Sequence, residues 1–439
     1  MTPSDAEPIY VTTPIYYVND RPHIGHVYTT TICDVYARYH RVRGRDVFFL
    51  TGTDEHGMKV EKSARARGVP PQQHADENAA EFQRALQLFE LSNDDFIRTT
   101  DPLHTRQVQA IVRRLLDADV IYLGEFEGWY DEGQEEYFTE TKAEELGYRS
   151  PVSGRPLVRA TEENYFLRLS AFQDRIEHLF ETRPEFVRPV ARRNEVVNRV
   201  REGLQDVPIS RTNFTWGVPM PDHPEHVIWV WVDALLNYVT GIGLMEPDSE
   251  RHAARAKYWP ATYHVIGKEI LWFHSVIWPA ILMALDLHLP RTIYAHSFWI
   301  SEGEKMSKSL GNFIDLETLD QYIRTYSLDA LRYYLVTQGP LGATDANFTA
   351  DHFHEVYTTD LVNTVGNSLS RVSAMIGKYF DGAVPSEIVD GSRVTLREHD
   401  WPGRCRAMLE KVDAAMDDFD LTVAASAALH LVREVDGFI

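Results

Sequence analysis

The sequence predicts an α/β fold: a doubly wound parallel sheet, interrupted by an inserted domain and followed by a run of helices. Three observations carry this. Pro8–Thr13 and Asp46–Leu50 are short β-prone runs separated by a helical pattern, and strand–helix–strand is the unit from which parallel sheets are built. Residues from roughly 120 to 220 drop that rhythm for charged, aromatic, turn-rich sequence such as EFEGWYDEGQEEYF and SPVSGRPLV. The α/β pattern then resumes with VIWVWVDALLNYV, TYHVIG and TIYAHSFWI.

The first helix is predicted from Tyr28, Ile32, Val35, Tyr36 and Tyr39, spaced close to the 3.6-residue period, and Gly44 stops it. DVFFL at 46–50 is apolar throughout, as expected of a strand covered on both faces. The expected segments are 1–118 and 223–302 for the two halves of the sheet domain, 119–222 for the insertion, and 303–349 for a lysine-bearing loop region. From 350 to 439 the chain reads as helices, with Leu361, Val365, Leu369, Val372, Ile376 and Tyr379 as one apolar stripe expected to face a core.

A chain of 439 residues exceeds one ordinary core, so several domains are expected. Its net charge of −21 is not that of a non-specific nucleic-acid binder, so any RNA reading must rest on motifs. Two cysteines, Cys33 and Cys405, cannot form a disulfide framework or a four-thiolate metal site. The N-terminus MTPSDAEPIY has no signal-peptide pattern, and the longest apolar runs are broken by Asp233 and Asp286. A soluble, cytoplasmic protein without membrane or DNA partners is expected, with a monomer favoured.

Two segments carry phosphate chemistry. His23-Ile24-Gly25-His26 sits where the first strand hands over to the first helix, the place where doubly wound sheets bind nucleotides. There the free N–H groups and dipole of the helix favour an anion, both histidines can donate to it, and Gly25 leaves room for a flat base. Alone, such a pair is more often a cap and a packing residue. The second segment, Glu304-Lys305-Met306-Ser307-Lys308-Ser309-Leu310-Gly311-Asn312, is a small-residue loop whose lysines suit a moving pyrophosphate. A charge run is usually a solvated face, but the two motifs occur together, in order, on opposite halves of an interrupted domain.

With HIGH and KMSKS together, the chain resembles a class I aminoacyl-tRNA synthetase. PIYYVND, TGTDEHG at 51–57, WVDALLNY at 231–238 and IGKEILWFH at 266–274 make it similar to the methionine-specific branch of that family. The resemblance implies a Rossmann-like catalytic domain, a connective-peptide insertion, a KMSKS and stem-contact region, and a helical anticodon-binding bundle. It implies L-methionine, ATP with Mg²⁺, and methionine tRNA as ligands, and activation of methionine to its adenylate before transfer to tRNA. His23, His26, Lys305 and Lys308 become the catalytic residues, and Gly25, Lys268 and Ser307 join them in holding ATP. A methionine site needs a carboxylate for the ammonium group and an apolar wall for the thioether, since sulfur–aromatic contacts contribute roughly 0.3–1.5 kcal/mol. Asp54 supplies the first, and Ile15, Tyr17, Trp231, Ala234, Leu235, Tyr238, Ile270 and His274 can supply the second. Arg211 matches a family arginine near the substrate, whereas Trp229 and Trp272 read as core.

Relatives carry a zinc knuckle in the insertion. The matching positions here are Asp131, Gln134, Ser150 and Ser153, and tetrahedral structural zinc needs four good ligands, so no zinc is expected. The loop is expected to be held instead by Trp129, Tyr130, Tyr137 and Phe138. Asn367 and Arg371, four apart on one helix face, match the anticodon-reading positions. The family's bundle continues beyond the point matched by Ile439, so a truncated chain or an incomplete bundle is expected. Three competing readings are another class I synthetase, a non-catalytic tRNA-binding paralogue and a small-molecule nucleotidyltransferase. The first lacks its editing insertion or zinc cysteines here, the second conflicts with intact motifs, and the third with the insertion and helical end.

Overall fold

The computed structural model describes residues 7–19, 21–134, 136–306, 312–384 and 399–439, and only the backbone of Phe126, Glu162 and Lys305. The first segment supplies β1 (Ile9–Thr12), β2 (Tyr16–Tyr17), β3 (Val47–Asp54) and β4 (Asp95–Arg98). The middle supplies β5 (Ile121–Asp131), β6 (Glu136–Phe138), β7 (Val158–Leu167), β8 (Val187–Arg188), β9 (Val207–Pro208), β10 (Ser210–Arg211), β11 (Pro219–Met220) and β12 (His223–Ile228). β13 (Tyr263–Gly267), β14 (Thr292–His296), β15 (Trp299–Ser301), β16 (Glu304–Lys305) and β17 (Ala346–Phe348) follow.

The main sheet runs β2-β3-β1-β13-β14-β8, with β4 also on β3, and every pairing is parallel. Its strands alternate between two cores. Ile9, Val11, Val47, Phe49, Tyr263 and Val265 face α1 (Ile24–Val42), while Tyr10, Phe48 and Leu50 pack with Ile97 and Ile242 on the opposite side. Burial on both faces explains why DVFFL shows no polar alternation. β1 lies between β3, which follows it, and β13, which comes more than 200 residues later. The strand order therefore reverses beside β1, and a crevice opens at the carboxyl ends of β1 and β13.

β5, β6, β7 and β9 form a separate antiparallel sheet, as the loss of βαβ rhythm implies. The strand β8, although it lies within 119–222, joins the main sheet through Ile293↔Val187 and Tyr294↔Arg188. No helix among the described residues is long and apolar enough to cross a membrane.

The helical C-terminal region corrects one expectation. Residues Tyr357–Gly366 wind as a π-helix, where Thr364 Oγ1 donates to Thr359 O five residues back. The extra residue per turn rotates the following helix, Asn367–Tyr379, relative to a continuous 3.6-residue pattern. Thr364 and Ser368 are buried, whereas Val365, Leu369 and Tyr379 of the expected core stripe are exposed. The region is tied to the sheet at Phe419, between helices Trp401–Asp417 and Leu421–Phe438, whose ring is enclosed by Tyr36, Tyr263 and Tyr294.

Candidate active site

A cleft of about 360 Å³ opens at the strand-order reversal. Pro14 and Ile15, just after β1, Gly267, which ends β13, and Glu269, two residues beyond it, line the cleft. At one end stands the first turn of α1, where His23 is the N-cap. Nδ1 of His23 accepts from Gly25 N at 3.0 Å, and Nδ1 of His26 accepts from His23 N at 3.2 Å, a reciprocal capping box made of two imidazoles. Gly25 lines the cleft, and the structure gives a further reason for glycine there. A Cβ there would stand 2.9 Å from Cε1 of His23, so the missing side chain makes room for the His23 ring. Burial, and secondly the neighbouring His23, hold the His26 pKa well below the usual imidazole range, so His26 is neutral.

The second phosphate motif arrives at the same turn. Ile24 N donates to Ile314 O at 3.0 Å, His23 and Asp315 form an antiparallel bridge, and Phe313 packs edge-on against the His23 ring. The segment leaving the KMSKS loop thus lies against the HIGH turn. Ser307 and Lys308 lie outside the described residues, and of Lys305 only the backbone, paired with Ile300, is described.

At the other end Ile15, Tyr17, Asp54, Trp231, Ala234, Leu235, Tyr238, Ile270 and His274 all line the cleft with His23, Gly25 and His26. Asp54 closes β3 and is 8% exposed. Trp231 lies flat on Phe273, with ring centroids 3.8 Å and planes 11° apart. Tyr238 stacks on His264 at 4.0 Å, and His264 bridges Thr12 Oγ1 and Trp278 Nε1. His274 Nδ1 meets the carbonyl of Ile270 at 3.0 Å and therefore donates, so its Nε2 accepts from the Tyr238 hydroxyl at 2.8 Å. Burial pushes His274 down to about 4, and the ring stays neutral.

Two named residues lie elsewhere. Lys268 turns from the cleft to pair with Asp345 Oδ1 at 2.6 Å and lies over the Phe298 ring. Arg211 is 1% exposed behind the wall, with its guanidinium over the rings of Tyr137, Trp229 and Tyr130. It borders a second cavity between the inserted sheet and Trp229, Trp272 and Phe273. Trp229 itself is buried core. Neither Asn367 nor Arg371 lines the cleft: Asn367 is exposed, and Arg371 pairs with Asp436 Oδ1 at 3.0 Å.

The knuckle positions do not fit a metal. Asp131 Oδ1 accepts from Gly133 N at 2.7 Å and Gln134 N at 3.3 Å, and Ser150 Oγ accepts from Val152 N and Ser153 N. The side chains close both turns by hydrogen bonds to backbone. Tyr130 packs on Tyr137, while Trp129 packs on Tyr148 and Phe138 on Ala143 and Leu157. Among the described residues no cluster of His, Cys, Asp or Glu could hold a metal ion.

Sequence reasoning missed several lining residues. Tyr16, Asn237, Gly267 and Glu269 lie inside motifs already recognised, so adjacency could have found them. His296 and Phe298 lie in TIYAHSFWI, which was read only as a strand, while Lys59 and Gln134 carried no such signal, because Gln134 reaches the cleft from the inserted domain and Lys59 from the helix after β3.

Residues 9–146 and 143–373 match the family model described as tRNA synthetases class I (M). Methionine–tRNA ligase of Halalkalibacterium halodurans is 44% identical over 98% of this chain and 65% of its own length. That of Bacillus subtilis is 42% identical over 100% of this chain and 66% of its own length. The chain thus spans about 65% of the length of these curated relatives. The structure of Mycobacterium tuberculosis methionyl-tRNA synthetase in complex with methionyl-adenylate superposes with TM-score 0.89, at 39% identity, over 99% of this chain and 83% of that one. Its apo form superposes with TM-score 0.82, at 36% identity, over 98% of this chain and 81% of that one. With more than half its length matched by the family model, this chain belongs to the class I tRNA synthetases (M).

Proposed function

We propose that this chain activates L-methionine with ATP and then transfers the methionyl group to the 3′ end of a methionine tRNA. One observation carries the reading. A single cleft joins an anion-seeking helix end with paired imidazoles to a carboxylate and an aromatic wall. The relatives named Methionine–tRNA ligase, and the similar structure titled as a methionyl-adenylate complex, support it.

In the first step a carboxylate oxygen of methionine attacks the α-phosphorus of ATP, the bond to the β-phosphate breaks, and pyrophosphate leaves. Such chemistry depends on positioning and charge stabilisation. Asp54 receives the ammonium group. His23 and His26 donate to the phosphate oxygens, with the α1 N-terminus behind them. Lys305, Ser307 and Lys308 hold the departing pyrophosphate, with Mg²⁺ arriving as the companion of ATP. Lys268 joins them by exchanging Asp345 for phosphate. Arg211 supports the wall from behind through Trp229. In the second step a terminal ribose hydroxyl of tRNA attacks the methionyl carbonyl and AMP leaves, while Asn367 and Arg371 meet the anticodon. We place the reaction in the cytoplasm, with a monomeric, zinc-free chain. Methionine-dependent exchange of pyrophosphate into ATP tests the first step. Exchange driven by a different amino acid, or by none, overturns the reading.

A further inference from the structure

Beneath the cleft wall lies a buried chain of hydrogen bonds to which none of the steps above gives a role. Asp233, 0% exposed, receives His104 Nε2 at 2.9 Å on Oδ1 and His56 Nδ1 at 2.7 Å on Oδ2. Nδ1 of His104 in turn meets Thr240 Oγ1 at 2.7 Å. A carboxylate accepts from both imidazoles, so in a neutral His104 Nδ1 accepts from the Thr240 hydroxyl. In that arrangement Thr240 donates to His104, His104 to Asp233 and His56 to Asp233, with the Asn237 carbonyl, 3.4 Å from Thr240 Oγ1, as the hydroxyl's other acceptor.

The placement of these residues is systematic. His56 follows the cleft residue Asp54 by two positions, Asp233 follows Trp231 by two, and Thr240 follows Tyr238 by two. They belong to the turn after β3, the helix Val230–Leu235 and the helix Asn237–Thr240. His104, on the first turn of the helix Pro102–Asp117, is the only member without a cleft neighbour, and it joins the other elements from outside. We propose that His56, Asp233, His104 and Thr240 are positioning residues that lock Asp54, Trp231 and Tyr238 into one geometry for the amino-acid half of the reaction. This rests on the methionine reading of the cleft. The phosphate end, built on α1, is not attached to the chain of bonds, so its loss loosens the hold on the amino acid and spares that on ATP.

The test is methionine-dependent pyrophosphate exchange by wild type, His104→Leu and His104→Gln. Leucine removes both bonds, whereas glutamine keeps an N–H donor near the place of Nε2. His104→Leu is expected to raise KM for methionine about tenfold, the effect of losing roughly 1.4 kcal/mol of binding, and to leave KM for ATP within about twofold. His104→Gln is expected to recover most of the loss. A parallel rise in both KM values, or no change in either, overturns the proposal. If His104→Leu does not fold, Thr240→Val, which deletes only the outermost donor, is judged by the same split. If wild type shows no methionine-dependent exchange, the reading of the cleft falls instead, and amide hydrogen exchange judges the clamp alone. Thr240→Val must then speed exchange at residues 54–57 and 230–235; an increase confined to 237–241 overturns it.

Discussion

His23 and His26 stand with ring centroids 3.9 Å apart, and each has its Nδ1 occupied by a backbone N–H of the same turn. A neutral imidazole that accepts at Nδ1 carries its proton on Nε2. The cap therefore sets the tautomer, and in the neutral state each ring presents an Nε2–H donor. Glutamine places an amide N–H near the position of Nε2, whereas alanine does not. His26→Ala is expected to lower the rate of pyrophosphate exchange by ~10²–10³-fold, the usual loss for one preorganised donor, with KM for methionine little changed. His26→Gln is expected to recover part of that rate. Equal rates in the two variants would remove His26 from the phosphate.

Much of this site was legible in the sequence because its parts are local. The α1 periodicity, the apolar β3 run and the position of HIGH at a strand–helix junction each need only neighbouring residues. What was not legible depends on partners distant in the chain. Lys268 is turned aside by Asp345, 77 positions on, and Gln134 reaches the cleft from the inserted sheet. β8 is two residues long and is recognisable only by its pairing with β14. The stripe after 361 failed for another reason: a π-helix changes the period on which such a count relies.

Tyr238→Phe keeps the ring on His264 but removes the donor to His274 Nε2. A buried acceptor left without its partner costs about 1–3 kcal/mol. The expected result is a fall in stability of that order and a several-fold rise in KM for methionine, with KM for ATP unchanged. Wild-type urea denaturation and wild-type KM in this variant would show the bond to be idle.

Acid should weaken the fold through its buried histidines. Burial pushes both His274 and His296 down to about 4. In the unfolded chain these rings titrate near 6.5, so between about pH 6.5 and 4 the unfolded state binds more protons. Stability is therefore full above pH 6.5 and falls as pH drops through that window, by on the order of 3 kcal/mol for each ring. Asp233, held at about 2 despite its burial by the His56 and His104 imidazoles that bond to it, stays ionised throughout and adds no slope there. Urea midpoints at pH 7.5, 6 and 5 check this, and a flat profile contradicts it.

Asp131 and Ser150 close the two knuckle turns. Asp131→Ala is expected to leave the Gly133 and Gln134 amides without their acceptor and to destabilise the inserted sheet by about 1–2 kcal/mol. Elemental analysis of purified wild type should find no stoichiometric zinc, and a chelator should leave its thermal midpoint unmoved. One zinc per chain would mean that the turns are held by something other than these two side chains.

Phe419 adopts φ +57°, a left-handed conformation unusual for a bulky residue and unfavourable by roughly 1–2 kcal/mol. Its surroundings account for this. The ring is 0% exposed inside Tyr36, Tyr263 and Tyr294, and the adjacent Asp418 receives Arg188 Nη2 at 2.8 Å. Favourable aromatic burial offsets the backbone strain and fixes the last two helices to strands β13 and β14. Phe419→Ala relieves little of the strain, since alanine also disfavours that region, and it loses the whole contact, an expected destabilisation of about 3–5 kcal/mol. The loss should concentrate at the anchor. Limited proteolysis of Phe419→Ala should cut within 399–439 faster than in wild type, while residues 9–130 keep wild-type resistance. Faster cleavage spread evenly over the chain would mean that Phe419 supports the whole sheet rather than the attachment of the helices.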